Sequence, residues 1–304
     1  MATFTVDTTS DIVNPGDSFL SLREAVAQAN ATATADTIQF AASVQGHTLT
    51  LTGGELVLTR DVTIQGGGVT IDGNDTDPEE RVAAGHRIFN ITGSGTDVSL
   101  DNLTLTRGSV DDADGGKGGA ILLGGGSLTM TGCTVTNNTS TADYRVSGIY
   151  TEGGAIYATD GSRLTIAGCN FINNYSGGHY WGHGGAITGS NAAMTIRDSQ
   201  FSGNVGYYGA GSIALFGASL TIENCSMTNS QDPSGGEAYG GALIINGGAA
   251  VIARSTISNN SANYGGGIFA DQSQITIVDS TIGNNDGSYG SAIEAWGLQL
   301  AILA

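Results

Sequence analysis

The sequence predicts a right-handed parallel β-helix, an all-β solenoid of stacked short strands closed at its N-terminal end by a short capping α-helix. Three observations predict it. A Gly-Gly-Ala-Ile motif recurs down the chain, a short alternating segment follows each copy, and asparagines end each unit. Fixed-period self-similarity of this length is the mark of a solenoid.

The first motif reads Gly118-Gly119-Ala120-Ile121, Gly153-Gly154-Ala155-Ile156 and Gly184-Gly185-Ala186-Ile187. Weaker copies end at Ile213, Leu243, Ile268 and Ile293. The spacings between these apolar positions are 35, 31, 26, 30, 25 and 25 residues, so the basic unit is 25 residues with insertions in the earlier copies. The second motif covers Ser127–Met130, Arg163–Ile166, Ala193–Ile196, Ser219–Ile222 and Gln274–Ile277, with Ala250–Ala253 as a looser copy. It alternates apolar and polar residues, as half-buried strands do.

Cys133, Cys169, Ser199, Cys225, Ser255 and Ser280 follow in one register. The three cysteines therefore read as packed thiols on an internal ladder of small residues, not as disulfides. Each unit closes on asparagine, at Asn137-Asn138, Asn173-Asn174, Asn204, Asn229, Asn259-Asn260 and Asn284-Asn285. Asparagine tolerates left-handed backbone at a corner, and its amide can bond the copy above and below. One turn of the coil thus holds three short strands and three corners, each strand pairing with its copy about 4.8 Å away.

Earlier in the chain, Thr48–Leu51, Glu55–Leu58, Val62–Ile64, Val69–Ile71, Arg87–Ile91 and Val98–Leu105 alternate in the same way. They bring the total to roughly nine turns, a rod on the order of 40 Å long. Residues 47–304 form the β-helix and residues 1–46 the N-terminal cap, with its helix at about 20–30. Leu22, Ala25, Val26 and Ala29 supply an apolar stripe at helical spacing, and Ser21 with Glu24 is a capping box. Arg23 and Glu24 read as structural residues of the cap. The C-terminal segment from Leu298 still alternates without a lid. A fragment of a longer protein, or end-to-end self-association, is the expectation there.

Composition narrows the function. The 304 residues include 49 glycines without a three-residue period, 3 prolines and 39% hydrophobic residues, which excludes collagen and supports a buried core. The net charge is −18, and Lys117 is the sole lysine. Such a surface repels DNA, RNA and anionic membranes. No apolar run is long enough to insert into a bilayer. Met1–Asp7 does not read as a signal peptide, so export by another route, or prior removal of the signal, is expected.

The pairing of Gly-Gly-Ala-Ile with Phe171-Ile172-Asn173-Asn174 and Phe201-Ser202-Gly203-Asn204 resembles the passenger domains of polymorphic outer-membrane proteins and related autotransporters. Ser21-Leu22-Arg23-Glu24-Ala25 resembles the CSLREA domain found ahead of bacterial β-helices, with Leu20 where its Cys would stand. These resemblances cover about residues 3–30 and 118–293. They imply a β-helix in an extracellular or cell-surface bacterial setting, and they fit adhesins and carbohydrate-active enzymes alike.

Nine of the ten tyrosines fall between the Asn corner and the next Gly-Gly: Tyr144, Tyr150, Tyr175, Tyr180, Tyr207, Tyr208, Tyr239, Tyr264 and Tyr289. Trp181, His179, His183 and Arg145 join them. If the register holds, they form a column suited to stacking on an extended polysaccharide or surface glycan; as repeat consensus, they would only cover the coil edge. Lys117, Glu152, His183 and Tyr208 fall on successive turns and are candidate acid–base residues for a polysaccharide lyase, epimerase or hydrolase. A non-catalytic adhesin or scaffold, and a self-assembling extracellular fibre, are the competing readings. Paucity of basic residues counts against a polyuronate substrate. His179 and His183 sit in a glycine-flanked loop, where a four-residue spacing does not make a metal pair. No cofactor motif is present. Ca²⁺ is the ion that Asp72, Asp75 and Asp77 could hold, with Asp7, Asp11, Asn14 and Asp17, and Asp111, Asp112 and Asp114, as further acidic clusters.

Overall fold

A computed structural model describes residues 1–76, 84–111, 115–142, 150–159, 161–178, 181–297 and 299–303. The chain winds as a parallel β-helix with three long sheets. The first sheet holds nine strands and runs through Ile121–Gly124 and Ile156–Ala158 to Ile293–Trp296; the second holds eleven, including Ser127–Thr131 and Arg163–Ala167; the third holds nine, including Thr134–Thr136 and Asn170–Ile172. Among the described residues every strand pairs parallel to its neighbours, and the register is the one the repeat implies. Ile121, Ile156, Ile187, Ile213, Leu243, Ile268 and Ile293 pair in succession. Six of the seven are fully buried, and Ile293 packs against them. Burying each such side chain contributes about 1.5–3 kcal/mol. In the third sheet Phe171 stacks on Phe201 with ring centroids 4.8 Å apart and planes 5° from parallel.

Two polar ladders run inside the rod. The first matches the Cys/Ser series: the Cys133 N–H donates to Cys169 Sγ (3.3 Å), Cys169 N–H to Ser199 Oγ (3.1 Å) and Cys225 N–H to Ser255 Oγ (3.0 Å). The three cysteines are buried free thiols. In the second, Asn138 donates through its backbone N–H and Nδ2 to Asn174 Oδ1 (3.1 and 3.0 Å), and Asn174 does the same to Asn204 (2.9 and 3.0 Å). The paired asparagines divide two tasks. The first of each pair takes the left-handed corner, as at Asn137 (φ 54°) and Asn173 (φ 54°), and the second enters the buried ladder. Ser230 replaces asparagine at one rung, and its hydroxyl lies 2.7 Å from Ser212 Oγ instead.

The Gly-Gly dipeptide marks the tightest corner. Gly153 has φ 64°, and a Cβ on Gly154 would collide with the carbonyl oxygens of Gly185 and Tyr175. Only a residue without Cβ fits where consecutive coils approach so closely.

The structure adds elements the repeat did not show. A fourth short sheet, Ser109–Val110, Thr139–Ala142, Tyr175–Gly178 and Val205–Gly206, forms in the coils lengthened by insertions. Thr151–Glu152 pairs with Gly182–His183 in a two-stranded sheet. Thr3–Val6 pairs with Asp36–Phe40 at the N-terminal end of the second sheet. The segment Val98–Leu105 divides into Asp97–Asp101 and Thr104–Thr106, because Asn102 (φ 51°) turns the corner between sheets.

The helix spans Leu22–Asn30 and buries Leu22, Ala25, Val26 and Ala29. Ser21 and Glu24 complete its capping box. Arg23 binds Asp11 with two 2.9 Å bonds and donates to the carbonyls of Gly54 (2.7 Å) and Glu55 (3.2 Å), tying the cap to the first coil.

Asn174→Ala would strip an acceptor from Asn138 and donors from Val135 O and Asn204 Oδ1. Chemical denaturation should show a loss on the order of 3 kcal/mol. A loss within error would show that the ladder is not a stabilising element.

Candidate functional site

The residue before each Gly-Gly does form a column. Lys117 bridges Glu152, Glu152 pairs with His183, and Tyr239 bridges Tyr264, which bridges Tyr289. In the coil between, the position belongs to Gly209, since Gly184 N–H donates to Gly209 O (3.0 Å). Tyr208 stands one residue earlier, at φ 75°.

The four candidate acid–base residues are brought to one corner but have separate surroundings. Lys117 Nζ lies 2.9 Å from Glu152 Oε2 and 4.5 Å above the Tyr157 ring. Burial acts to lower its pKa, but Glu152 and Tyr157 outweigh burial and hold the ammonium above its ordinary value. Two coils on, His183 packs against Phe216 (5.0 Å), Tyr150 (6.3 Å) and Trp181 (6.3 Å). Its Nδ1 is buried beside Gly209 with no hydrogen-bond partner among the described residues. Burial pushes its pKa down to about 4. Tyr208 leans on Trp181 (5.4 Å) and Tyr207 (5.1 Å). Among the described residues these are an ion pair, a half-buried imidazole with its Nδ1 enclosed, and a ring packed in an aromatic group.

The aromatic residues fall into two groups on the same lateral face. Tyr150, Trp181, His183, Tyr207, Tyr208 and Phe216 make the first. Tyr239, Tyr264, Tyr289, Phe269 and Trp296 make the second. Tyr175 lies in the fourth sheet, paired with Thr139 and Val205, and its hydroxyl and Tyr207 both flank Gly177. Tyr144, Arg145, Tyr180 and His179 lie outside the described residues.

Stacking changes what the tyrosines present. Tyr239, Tyr264 and Tyr289 lie 5.1 and 4.7 Å apart with planes 19° and 9° from parallel. Both faces of Tyr264 are taken by its neighbours, so the ladder offers edges and hydroxyls, not open faces. Trp296 supplies the face. Its plane is 72° from Tyr264, 83° from Tyr239 and 88° from Phe269, so the indole stands across the planes of the ladder. It is 45% exposed and Tyr289 55% exposed. Its Nε1 donates to Glu294 Oε1 (3.1 Å).

Trp296, Phe269 and Phe216 were not singled out by the tyrosine count. A signal existed: alternation in the first sheet turns Ala214, Ile244 and Phe269 outward, where polar residues are expected, and these are buried beneath the aromatic group.

The family model described as "Right handed beta helix region" matches residues 48–226 and 183–301. The chain belongs to the right-handed β-helix family. A search of the curated proteins finds no match. Among solved structures, the chain is similar to a tailspike protein of E. coli bacteriophage HK620 in complex with pentasaccharide, with 11% identity and a TM-score of 0.27. That match covers 92% of this chain and 62% of the tailspike chain.

Within this β-helix, Asp232 organises the loop beside the tyrosine ladder. Its Oδ1 accepts from the N–H groups of Tyr208 (3.1 Å) and Ser234 (3.0 Å) and from Ser234 Oγ (2.6 Å); Oδ2 accepts from Tyr239 N–H (2.8 Å). Burial pushes its carboxyl above the ordinary range, and these donors pull it only part of the way back. The Asp-Pro-Ser sequence was the available signal for this turn. Asp232, Ser261, Asn263, Asp286 and Ser288 line a cleft of about 240 Å³ alongside the tyrosines. A larger depression, about 500 Å³, runs along the corner between the first and second sheets and is lined mainly by glycine, alanine and serine.

The acidic clusters have structural partners. Asp72 is held by the Arg107 guanidinium and accepts from Asn74 N–H (2.8 Å); this pairing holds Arg107 above its ordinary value. Asp75 is fully buried, and Asp77, Asp112 and Asp114 lie outside the described residues. Asp11 accepts from Arg23, and Asp7 Oδ1 accepts from Leu20 N–H (2.7 Å). Among the described residues, no three His, Cys, Asp or Glu side chains are grouped to hold a metal ion.

Because folding disfavours protonated His183, its contribution is fully present above the unfolded value of 6.5 and declines as pH falls towards about 4. Stability should drop by roughly 2 kcal/mol between pH 7 and pH 5 from this residue. Denaturation midpoints of His183→Gln should fall less steeply over that interval; an unchanged slope would remove His183 as the cause. Asp232→Ala should speed proteolysis within 231–239 while the rest of the rod resists; uniform resistance would show that the carboxylate does not hold the loop.

Proposed function

We propose that this β-helix is a non-catalytic glycan-binding protein that engages an extended polysaccharide along the lateral face carrying its aromatic residues. The observation that carries this reading is the indole of Trp296, 45% exposed and set crosswise against the tyrosine ladder. Aromatic rings stack on the apolar faces of sugars, while the Tyr289 hydroxyl and the Ser261, Asn263 and Ser288 side chains beside the ladder can meet sugar hydroxyls. The Lys117–Glu152 ion pair, the low pKa of His183 and the packing of Tyr208 on Trp181 favour binding over elimination or hydrolysis.

An extracellular or cell-surface setting accords with the acidic surface and the single lysine. The Ser21–Ala25 segment and the Gly-Gly-Ala-Ile repeats support the same setting through their likeness to surface β-helices. A role as adhesin or scaffold follows from these features together.

Affinity electrophoresis through gels containing a panel of polysaccharides tests the reading. Wild type should be retarded by at least one polymer, and Trp296→Ala should lose at least tenfold in affinity while keeping its circular dichroism and melting temperature. No retardation by any polymer would overturn glycan binding. A rise in ultraviolet absorbance from unsaturated products, or in reducing ends, would assign catalysis instead.

A further inference from the structure

The aromatic strip is strongly one-signed in charge. Beyond Arg254 the chain has no lysine or arginine, while Asp271, Asp286 and Glu294 follow, with Asp279 on the Arg254 side of the rod. Arg254 itself is paired with Glu223 on another side of the rod. Glu294 holds the Trp296 indole, and its other oxygen lies beside Gly290, next to Tyr289. Glu237 and Asp232 act on the Tyr239 hydroxyl, which burial first, and these carboxylates with Tyr264, keep above its ordinary pKa. Asp271 sits opposite Trp296 on the neighbouring coil, and Asp286 lines the adjoining cleft. Glu237 and Asp286 are exposed.

A protonated amine fits this surface in two ways. It gains from the carboxylates, and it is attracted to an aromatic face, a cation–π contact of about 0.5–1 kcal/mol at exposed sites. A uronate polymer meets repulsion from the same groups. A neutral sugar gains only the stacking.

We propose that the strip formed by Tyr264, Tyr289 and Trp296 selects a cationic, amino-sugar glycan over neutral and uronate polymers. This rests on the glycan-binding reading above and adds the class of sugar. Charge selects the polymer, and the indole face fixes where it docks.

The experiment is calorimetric titration of the full chain with a soluble chitosan oligomer, its fully N-acetylated counterpart, a neutral β-glucan oligomer and an oligogalacturonate, at two salt concentrations. The chitosan oligomer should bind at least tenfold more tightly than the others and lose affinity as salt rises. Glu237→Gln combined with Glu294→Gln should weaken chitosan binding at least threefold and leave the N-acetylated oligomer unchanged; glutamine still accepts from the indole. Trp296→Ala and Tyr289→Ala keep the net charge of the protein. Each should lose chitosan binding, and retention by both would show diffuse charge attraction and overturn the proposal. Equal or tighter binding of a neutral oligomer or the galacturonate would overturn amino-sugar selection and leave glycan binding standing. No binding of any oligomer would count against both.

Discussion

The in-register parallel pairing of consecutive coils is the constraint from which the rest of this molecule follows. Parallel pairing sets each residue beside its counterpart one repeat later, so a sequence period becomes a spatial column. Inside the rod this places isoleucine on isoleucine and Phe171 on Phe201. It also brings together amides that would otherwise be costly to bury. Asn138, Asn174 and Asn204 are fully buried and hydrogen-bonded because each meets an identical partner.

The same constraint governs the outer face, with a different result. Rings stacked at the coil spacing cover one another. The tyrosine ladder is therefore chiefly a packed surface that supports an aromatic side chain lying across the coils. Trp296 does this from the last first-sheet strand by folding back over Phe269 and the tyrosine edges. Phe216 repeats the arrangement over His183. Irregular positions carry the crosswise rings, and regular ones carry the stack beneath them.

Charge complements this geometry. Lys117 is paired with Glu152, and burial disfavours the charged form of His183. Around Trp296 the carboxylates have no basic counterweight in the sequence that follows Arg254.

The amino-acid sequence by itself determined the solenoid, the interior columns, the packed thiols, the asparagine corners and the capped helix at Leu22–Asn30. These depend on period and residue type, and parallel pairing converts both directly into position. It also placed Lys117, Glu152, His183, Tyr239, Tyr264 and Tyr289 in one column. Only the tertiary structure decided which rings stack and that Asp232 anchors the neighbouring loop. It also decided that Lys117 and Glu152 pair with each other and that the His183 Nδ1 is enclosed. Those outcomes depend on side-chain packing between coils 25 or more residues apart, and on insertions that interrupt the repeat. A period read along the chain carries no information about how a side chain turns once its neighbours in three dimensions are in place.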